Sequence, residues 1–242
     1  MTRSDPGASA DVLGGRQRYV AAATVTSLLL GFAATIVLVM AYGSEPAALA
    51  HPGSIVDKGP EAARLVRWGA LLDMASYLPM APLVLYLHAR LLDRGPLLVP
   101  LLTVSGLAYV LIGGIGGALL ASAGPPLIDG YSSASDAGRE AARITLETLG
   151  HAVLVGLFGT LELIPFGVWM LGVGWLLRLD WPRFAGVSMI AGAGVLASSG
   201  RTGLTGRTLV EISGPIDLVI LAALGFVFVW QLWLVVRLWR GR

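Results

Sequence analysis

Residues 147–178 read ETLGHAVLVGLFGTLELIPFGVWMLGVGWLLR, and this stretch decides the fold class. It exceeds the roughly 20 residues a helix needs to cross the hydrocarbon core of a bilayer. Yet Glu162, a carboxylic acid, stands near its middle, with Pro165 three residues on and His151 near its start. A charged side chain at bilayer depth costs about 2.5–3.5 kcal/mol or more unless it faces protein, water or a partner. The helix must therefore turn Glu162 inward, and an interior requires other spans.

The remaining chain supplies them. Of its 242 residues 55% are hydrophobic and only 13% charged, where a soluble domain carries about a quarter charged. Apolar runs at about 19–43, 68–87, 97–124, 149–177, 184–199 and 216–236 define the predicted fold. It is all-α, a polytopic integral membrane protein with a bundle of six transmembrane helices in a single domain over residues 19–238. Residues 1–18 and 239–242 are expected as cytoplasmic tails, the first disordered. Tyr19 and Tyr42 mark the edges of the first span, where amphipathic rings prefer to sit. Ala48-Leu49-Ala50 resembles a signal-peptidase site, but the apolar run before it outlasts the 7–15-residue core of a signal peptide, so a retained signal-anchor is expected. Pro79 and Pro82 predict a kink in span two. Residues 45–66, 125–146 and 200–213 read as polar loops, with Ser135 or Asp136 capping a helix into span four.

Six spans place both termini on one side. That side collects Arg3, Arg16, Arg18, Arg90, Arg94, Arg178, Arg183, Arg237, Arg240 and Arg242, ten of the 17 basic residues. They crowd into short turns and tails, where the positive-inside rule is strongest. The termini are therefore expected in the cytoplasm of a cell whose plasma membrane the chain crosses. Arginine far outnumbers lysine and asparagine is absent, which fits a GC-rich bacterial genome.

The chemistry-bearing residues lie on spans two, four and six. Asp73 and Tyr77 are four apart and share a helical face. Eleven residues separate His151 from Glu162, nearly three α-helical turns and about 16 Å of rise. Glu147 and Arg143 would extend that face outward, with Phe158, Phe166 and Trp169 around or beyond Glu162. Asp217 opens span six at shallow depth. The ligand-binding candidates are thus Glu162, His151, Glu147, Asp73, Tyr77, Asp217, Phe158 and Trp169. The alternative for each acid is a side chain hydrogen-bonded within the bundle or wetted at its edge. Arg201 and Arg207 flank two glycines and suit either an anion or a solvated loop. Gly113 and Gly117 have the small-xxx-small spacing of a packing face, inside the bundle or between copies in a homo-oligomer.

Other chemistries lack their residues. The chain has no cysteine and three histidines, so no disulfide, no thiolate site and no metal or other cofactor is expected. No basic cluster matches nucleic acid, and no Walker loop or aspartate-rich prenyl-diphosphate motif occurs. Ala197-Ser198-Ser199-Gly200 lacks the first glycine of a GxSG protease motif. The partners expected are the lipid bilayer and a small lipophilic or ionic ligand. The primary functional expectation is a non-enzymatic protein that binds or moves such a solute, or protons, through an outward-facing cavity around Glu162. The alternatives are a membrane-embedded enzyme acting on a lipid or isoprenoid, with Glu162 or Asp73 as general acid, and a structural or partner-binding bundle.

The segment TLELIPFGVWMLGVGWLLRLDWPRFAGVSMIAGAGVLA, within residues 147–197, resembles uncharacterised bacterial six-span membrane proteins grouped as a domain of unknown function. The resemblance rests on Glu162, Gly167-Val168-Trp169, Gly172, Arg178, Trp181-Pro182-Arg183 and Gly186. It implies six spans and supplies no activity.

Overall fold

The structure, a computed structural model, describes residues 6–43, 51–206 and 215–240. Among them every regular element is helical. Helix α1 spans Pro6–Tyr42 and ends at Gly43, whose φ of 75° suits glycine. A 3₁₀ segment, Pro52–Lys58, leads into α2, Gly59–Tyr77, and a 3₁₀ turn at Leu78–Met80 joins it to α3, Ala81–Leu91. Then come α4, Leu98–Tyr131, and α5, Asp136–His151. A π-helical stretch, Ala152–Leu161, carries α5 into α6, Leu163–Leu177. Helices α7, Pro182–Thr205, and α8, Pro215–Trp239, complete the chain.

Five of these segments are long and apolar enough to cross a membrane: Gly15–Tyr42, Pro52–Arg94, Leu98–Tyr131, Asp136–Leu177 and Asp217–Trp239. The sixth expected span is α7, whose 24 residues cover about 36 Å at 1.5 Å each. It is rich in glycine, serine and alanine because it runs inside the bundle, between α6 and α8. A side-chain carbon on Gly192 would meet the Gly167 carbonyl at 2.9 Å, so the glycine lets α6 and α7 pack backbone to backbone. Large apolar residues such as Phe32, Leu101, Leu111 and Phe228 are instead exposed on the flanks, as suits a surface solvated by lipid tails. The chain is a multi-pass, all-helical membrane protein.

The described ends of the helices lie together. Arg16 near the start of α1 and Arg90 in α3 line one cavity, and the guanidiniums of Arg90 and Arg237 both stand over the Trp181 ring. The Arg16 end of α1 and the Arg237 end of α8 thus sit at one end of the bundle, as an even number of spans requires.

Several boundaries correct the sequence reading. Described residues 6–18 of the expected disordered tail are the first turns of α1, Ala- and Leu-containing and without an internal proline to stop the helix. Much of the three expected polar loops is helical. Within 45–66, the 3₁₀ segment buries Ile55 and Val56, and α2 begins with Pro60 in its first turn, where its missing N–H costs nothing. Within 125–146, α4 continues through Pro125 and Pro126 to Tyr131, because Ile128 packs with Tyr42, Ile55, Val66 and Leu146. Within 200–213, α7 runs on to Thr205 and stops at Gly206, whose φ is 65° and whose N–H bonds the Thr202 carbonyl at 2.8 Å. The Ala48–Ala50 cleavage-like motif, Arg3, Arg207 and Arg242 lie outside the described residues.

Two expectations hold in detail. Ser135 caps α5, its hydroxyl accepting from the Gly138 N–H at 3.3 Å. The Pro79–Pro82 region breaks its helix at Leu78–Met80.

Candidate functional site

Two backbone irregularities meet at one side-chain pair. Tyr77 is the last residue of α2 before the 3₁₀ turn, and Glu162 immediately follows the π stretch. The Tyr77 hydroxyl lies 3.0 and 3.1 Å from the two carboxyl oxygens of Glu162. The π stretch has a local cause. Pro165 has no N–H for the Leu161 carbonyl and its ring crowds that oxygen, and Leu161 is where the wider ladder ends. The Glu162 N–H bonds back five residues to the Leu157 carbonyl at 2.8 Å, and the Thr160 hydroxyl likewise to Val155 at 2.9 Å. Such π segments occur frequently at functional sites.

The π stretch also overturns the predicted stripe. Taking more residues per turn, it prevents a spacing of eleven from returning to the same face. His151 is exposed and Glu162 buried. His151 stays at the far end of the bundle, 3.4 Å from Glu147, whose other neighbours are His51 at 3.7 Å and the Gly53 N–H at 2.6 Å. Glu147, His51 and Arg143 line a cavity of about 400 Å³ there, and Arg143 turns to Glu140 at 2.8 Å. His51 stands as a second imidazole beside Glu147, a position that depends on the 3₁₀ fold of Pro52–Lys58.

The cavity nearest Glu162 is a separate one. It measures about 390 Å³ and is lined by Ser27, Phe32 and Thr35 of α1, Asp73, Ser76 and Tyr77 of α2, Tyr109 of α4, and Phe228 and Gln231 of α8. It shares no lining residue with the Glu147 cavity. Asp73 and Tyr77 therefore do share a face, as their spacing predicts. Glu162 sits behind Tyr77 rather than in the wall, so Tyr77 is the group that links it to the open space.

The depth of this cavity follows from the helices that build it. Gly31, Tyr77 and Val227 all line it, and each lies within about a residue of the middle of its own apolar run. Gly31 is about 17 Å from either edge tyrosine of α1 at 1.5 Å per residue, the middle of a hydrocarbon core about 30 Å thick. Two of the lining residues, Phe32 and Phe228, are 66% and 62% exposed, which places their rings on the lipid-facing flank. Along the helices that build it, the cavity thus lies near mid-length, between α1 and α8.

Its polar wall is incompletely paired. Ser27 donates to the Ser76 carbonyl at 2.6 Å, beside the helix break, where such a carbonyl needs a new donor. Among the described residues the Asp73 carboxylate has no hydrogen bond or ion pair. Tyr109, which sequence reasoning missed, meets Tyr77 edge-on at 5.3 Å and stacks on Phe166 at 4.2 Å. From there rings continue through Trp169, 6.2 Å from Phe166, to Trp230, 5.5 Å further. Trp169 is accordingly a core residue, fully buried and away from the cavity.

The glycines of α4 hold Tyr77 and Phe158 in place. A carbon added to Gly113 would lie 2.1 Å from the Tyr77 ring, and one on Gly116 would lie 2.3 Å from Phe158. Gly117 meets Met74. The Gly113–Gly117 face thus packs within the chain, against α2. Gly113→Ala is expected to cost about 1–3 kcal/mol through overpacking, read as a lower unfolding midpoint in detergent. An unchanged midpoint would contradict this packing.

Asp217 belongs elsewhere. It is buried rather than wetted, and forms an ion pair with Arg201 of α7. Beside Arg201 the Thr202 and Ser199 side chains are buried, and Ser199 donates to the Thr160 carbonyl of the π stretch at 2.9 Å. The three acids of spans two, four and six therefore do not share one space. Asp73 and Glu162 are joined through Tyr77, while Asp217 ties α8 to α7.

A bundle of long apolar helices, two of them broken, defines the class of multi-pass helical membrane proteins. The chain belongs to the family described as Domain of unknown function (DUF4386), which matches residues 19–237. The likeness thus extends over nearly the whole bundle, well beyond residues 147–197. No curated protein and no solved structure matches the chain.

Proposed function

We propose that this protein binds a small lipophilic solute, bearing a hydrogen-bond donor or a positive charge, in the mid-depth cavity, and moves it within or across the bilayer. The observation that carries the reading is the carboxylate of Asp73, which has no hydrogen bond or ion pair among the described residues, in a cavity lined by Phe32, Phe228 and Tyr109. A carboxylate in hydrocarbon is costly without a partner, and an apolar molecule with a donor or cationic group supplies one. Aromatic rings favour the same charge. The converging breaks at Leu78–Met80 and Ala152–Leu161 fit carriers, whose sites use discontinuous helices near the midplane. Tyr77 would contact the solute, with Glu162 holding its hydroxyl.

Titration with the fluorescent lipophilic amine N-phenyl-1-naphthylamine tests this in nanodiscs. Wild-type protein is expected to show a saturable component above empty nanodiscs. Asp73→Leu should weaken it about tenfold, equivalent to about 1.4 kcal/mol. Equal binding by the variant would remove Asp73 from the site.

Protons are the second cargo favoured by a specific observation, the Glu162–Tyr77 hydrogen bond leading from a buried acid to the cavity. Proteoliposomes with Glu162→Gln should then lose proton uptake, and unchanged uptake would exclude this role. The same reading places the chain in a bacterial plasma membrane with its termini cytoplasmic, supported by the arginines gathered at that end.

A further inference from the structure

The end of the bundle that carries the chain ends holds a second set of features unrelated to the mid-depth cavity. Trp181, at the start of α7, has two guanidiniums over its ring: Arg90 at 4.7 Å and Arg237 at 5.2 Å. Like charges brought to one indole repel each other, and the ring's negative face offsets only part of that repulsion. Each arginine also lines its own cavity. Arg90 shares one of about 300 Å³ with Arg16, Gln17 and Tyr86, and Arg237 shares one of about 250 Å³ with Arg240, Trp233 and Val236.

None of these four arginines is ion-paired among the described residues. The contrast with their neighbours is informative, since Arg94 at the same end has Asp180. Arg90 gives one donor to the Tyr86 hydroxyl at 3.3 Å, and its Nε is buried without a partner. Arg90 and Arg237 are thus held in place by a ring and a phenol, with no carboxylate partner among the described residues. Arginine in that state recognises phosphate, because its planar fork bonds two oxygens at once.

We propose that the Arg90–Trp181–Arg237 cluster binds a phosphate-bearing anion. The apolar walls beside the arginines, Trp233 and Val236 in one cavity and Ala89 in the other, suit the headgroup of an anionic phospholipid whose chains run along the bundle. A soluble phosphate compound would use the same donors. Basic cavities between helices at a membrane face bind such headgroups in this way.

Native mass spectrometry of the full chain in detergent separates these cases. Phosphatidylglycerol and phosphatidylcholine, matched in acyl chains, are added in turn, with and without millimolar inorganic phosphate. The expected result is phosphatidylglycerol retained at least fivefold more than phosphatidylcholine, and a fivefold or greater loss of that retention in R90Q/R237Q. Failure of inorganic phosphate to displace it assigns the lipid, and displacement assigns the soluble phosphate; either supports the site. R90K/R237K should keep part of the binding, and R178Q, whose guanidinium stands over the separate Trp175 ring at 3.9 Å, should keep all of it. If R90Q/R237Q does not fold, the exposed R240Q takes its place, with a partial loss expected. Equal retention of the two lipids, or undiminished phosphatidylglycerol retention in the folded glutamine variant, would overturn the proposal.

Discussion

Arg201→Gln is expected to be the most damaging single change in the bundle. Its guanidinium and the Asp217 carboxylate are 12% and 8% exposed, so removing either breaks an ion pair that is largely shielded from water. Breaking such a pair costs about 3–5 kcal/mol, whereas replacing both partners costs far less. Thermal unfolding in detergent should therefore show a large drop for Arg201→Gln and a substantial recovery in the double variant with Asp217→Asn. This non-additivity is the signature of a direct pair. Equal, additive losses would mean that the two residues act independently, and α8 would then need another anchor to α7.

Tyr77→Phe ranks second. It keeps the ring against Gly113 but strips the hydroxyl from both carboxyl oxygens of buried Glu162. A buried polar group left unsatisfied costs about 1–3 kcal/mol. Glu162→Gln should cost less than Tyr77→Phe, since the amide still hydrogen-bonds the phenol. In the combination, the phenylalanine should add less than it does alone, because the carboxyl that the phenol bonds is already gone. Unfolding midpoints of the four proteins close this cycle. Simple additivity would show that the hydroxyl and the carboxyl are not coupled.

The six spans were legible because each is a long apolar run, and period-free hydrophobicity is what a lipid-solvated bundle demands. Asp73, Tyr77 and Glu162 were legible for the opposite reason: each is a polar atom where hydrocarbon is expected. What escaped was set by contacts between distant segments. Residues 125–131 read as a loop because of Gly124, Pro125 and Pro126, yet Ile128 finds an apolar cluster that holds the helix together. The π stretch was hidden because a proline announces a disturbance without saying how the turn before it adapts. That single change separated His151 from Glu162. Tyr109 looked like one apolar-run residue among many and became part of the site only through its ring contacts with Tyr77 and Phe166. The pairing of Arg201 with Asp217 spans a stretch that neither periodicity nor composition constrains. Charge in the sequence located the helix ends, and packing decided which charges meet.

The central claim is that the polar cavity lies at mid-depth and opens to lipid. The chain has no cysteine, so Thr35→Cys provides a unique attachment point on the cavity wall for a nitroxide. Electron paramagnetic resonance in lipid bilayers then compares its collisions with oxygen, which concentrates in hydrocarbon, and with a water-soluble nickel chelate. High oxygen and low nickel accessibility are expected, with oxygen collisions falling when N-phenyl-1-naphthylamine is added. High nickel accessibility that the amine leaves unchanged would contradict it, and would describe a water-filled cleft open to one face.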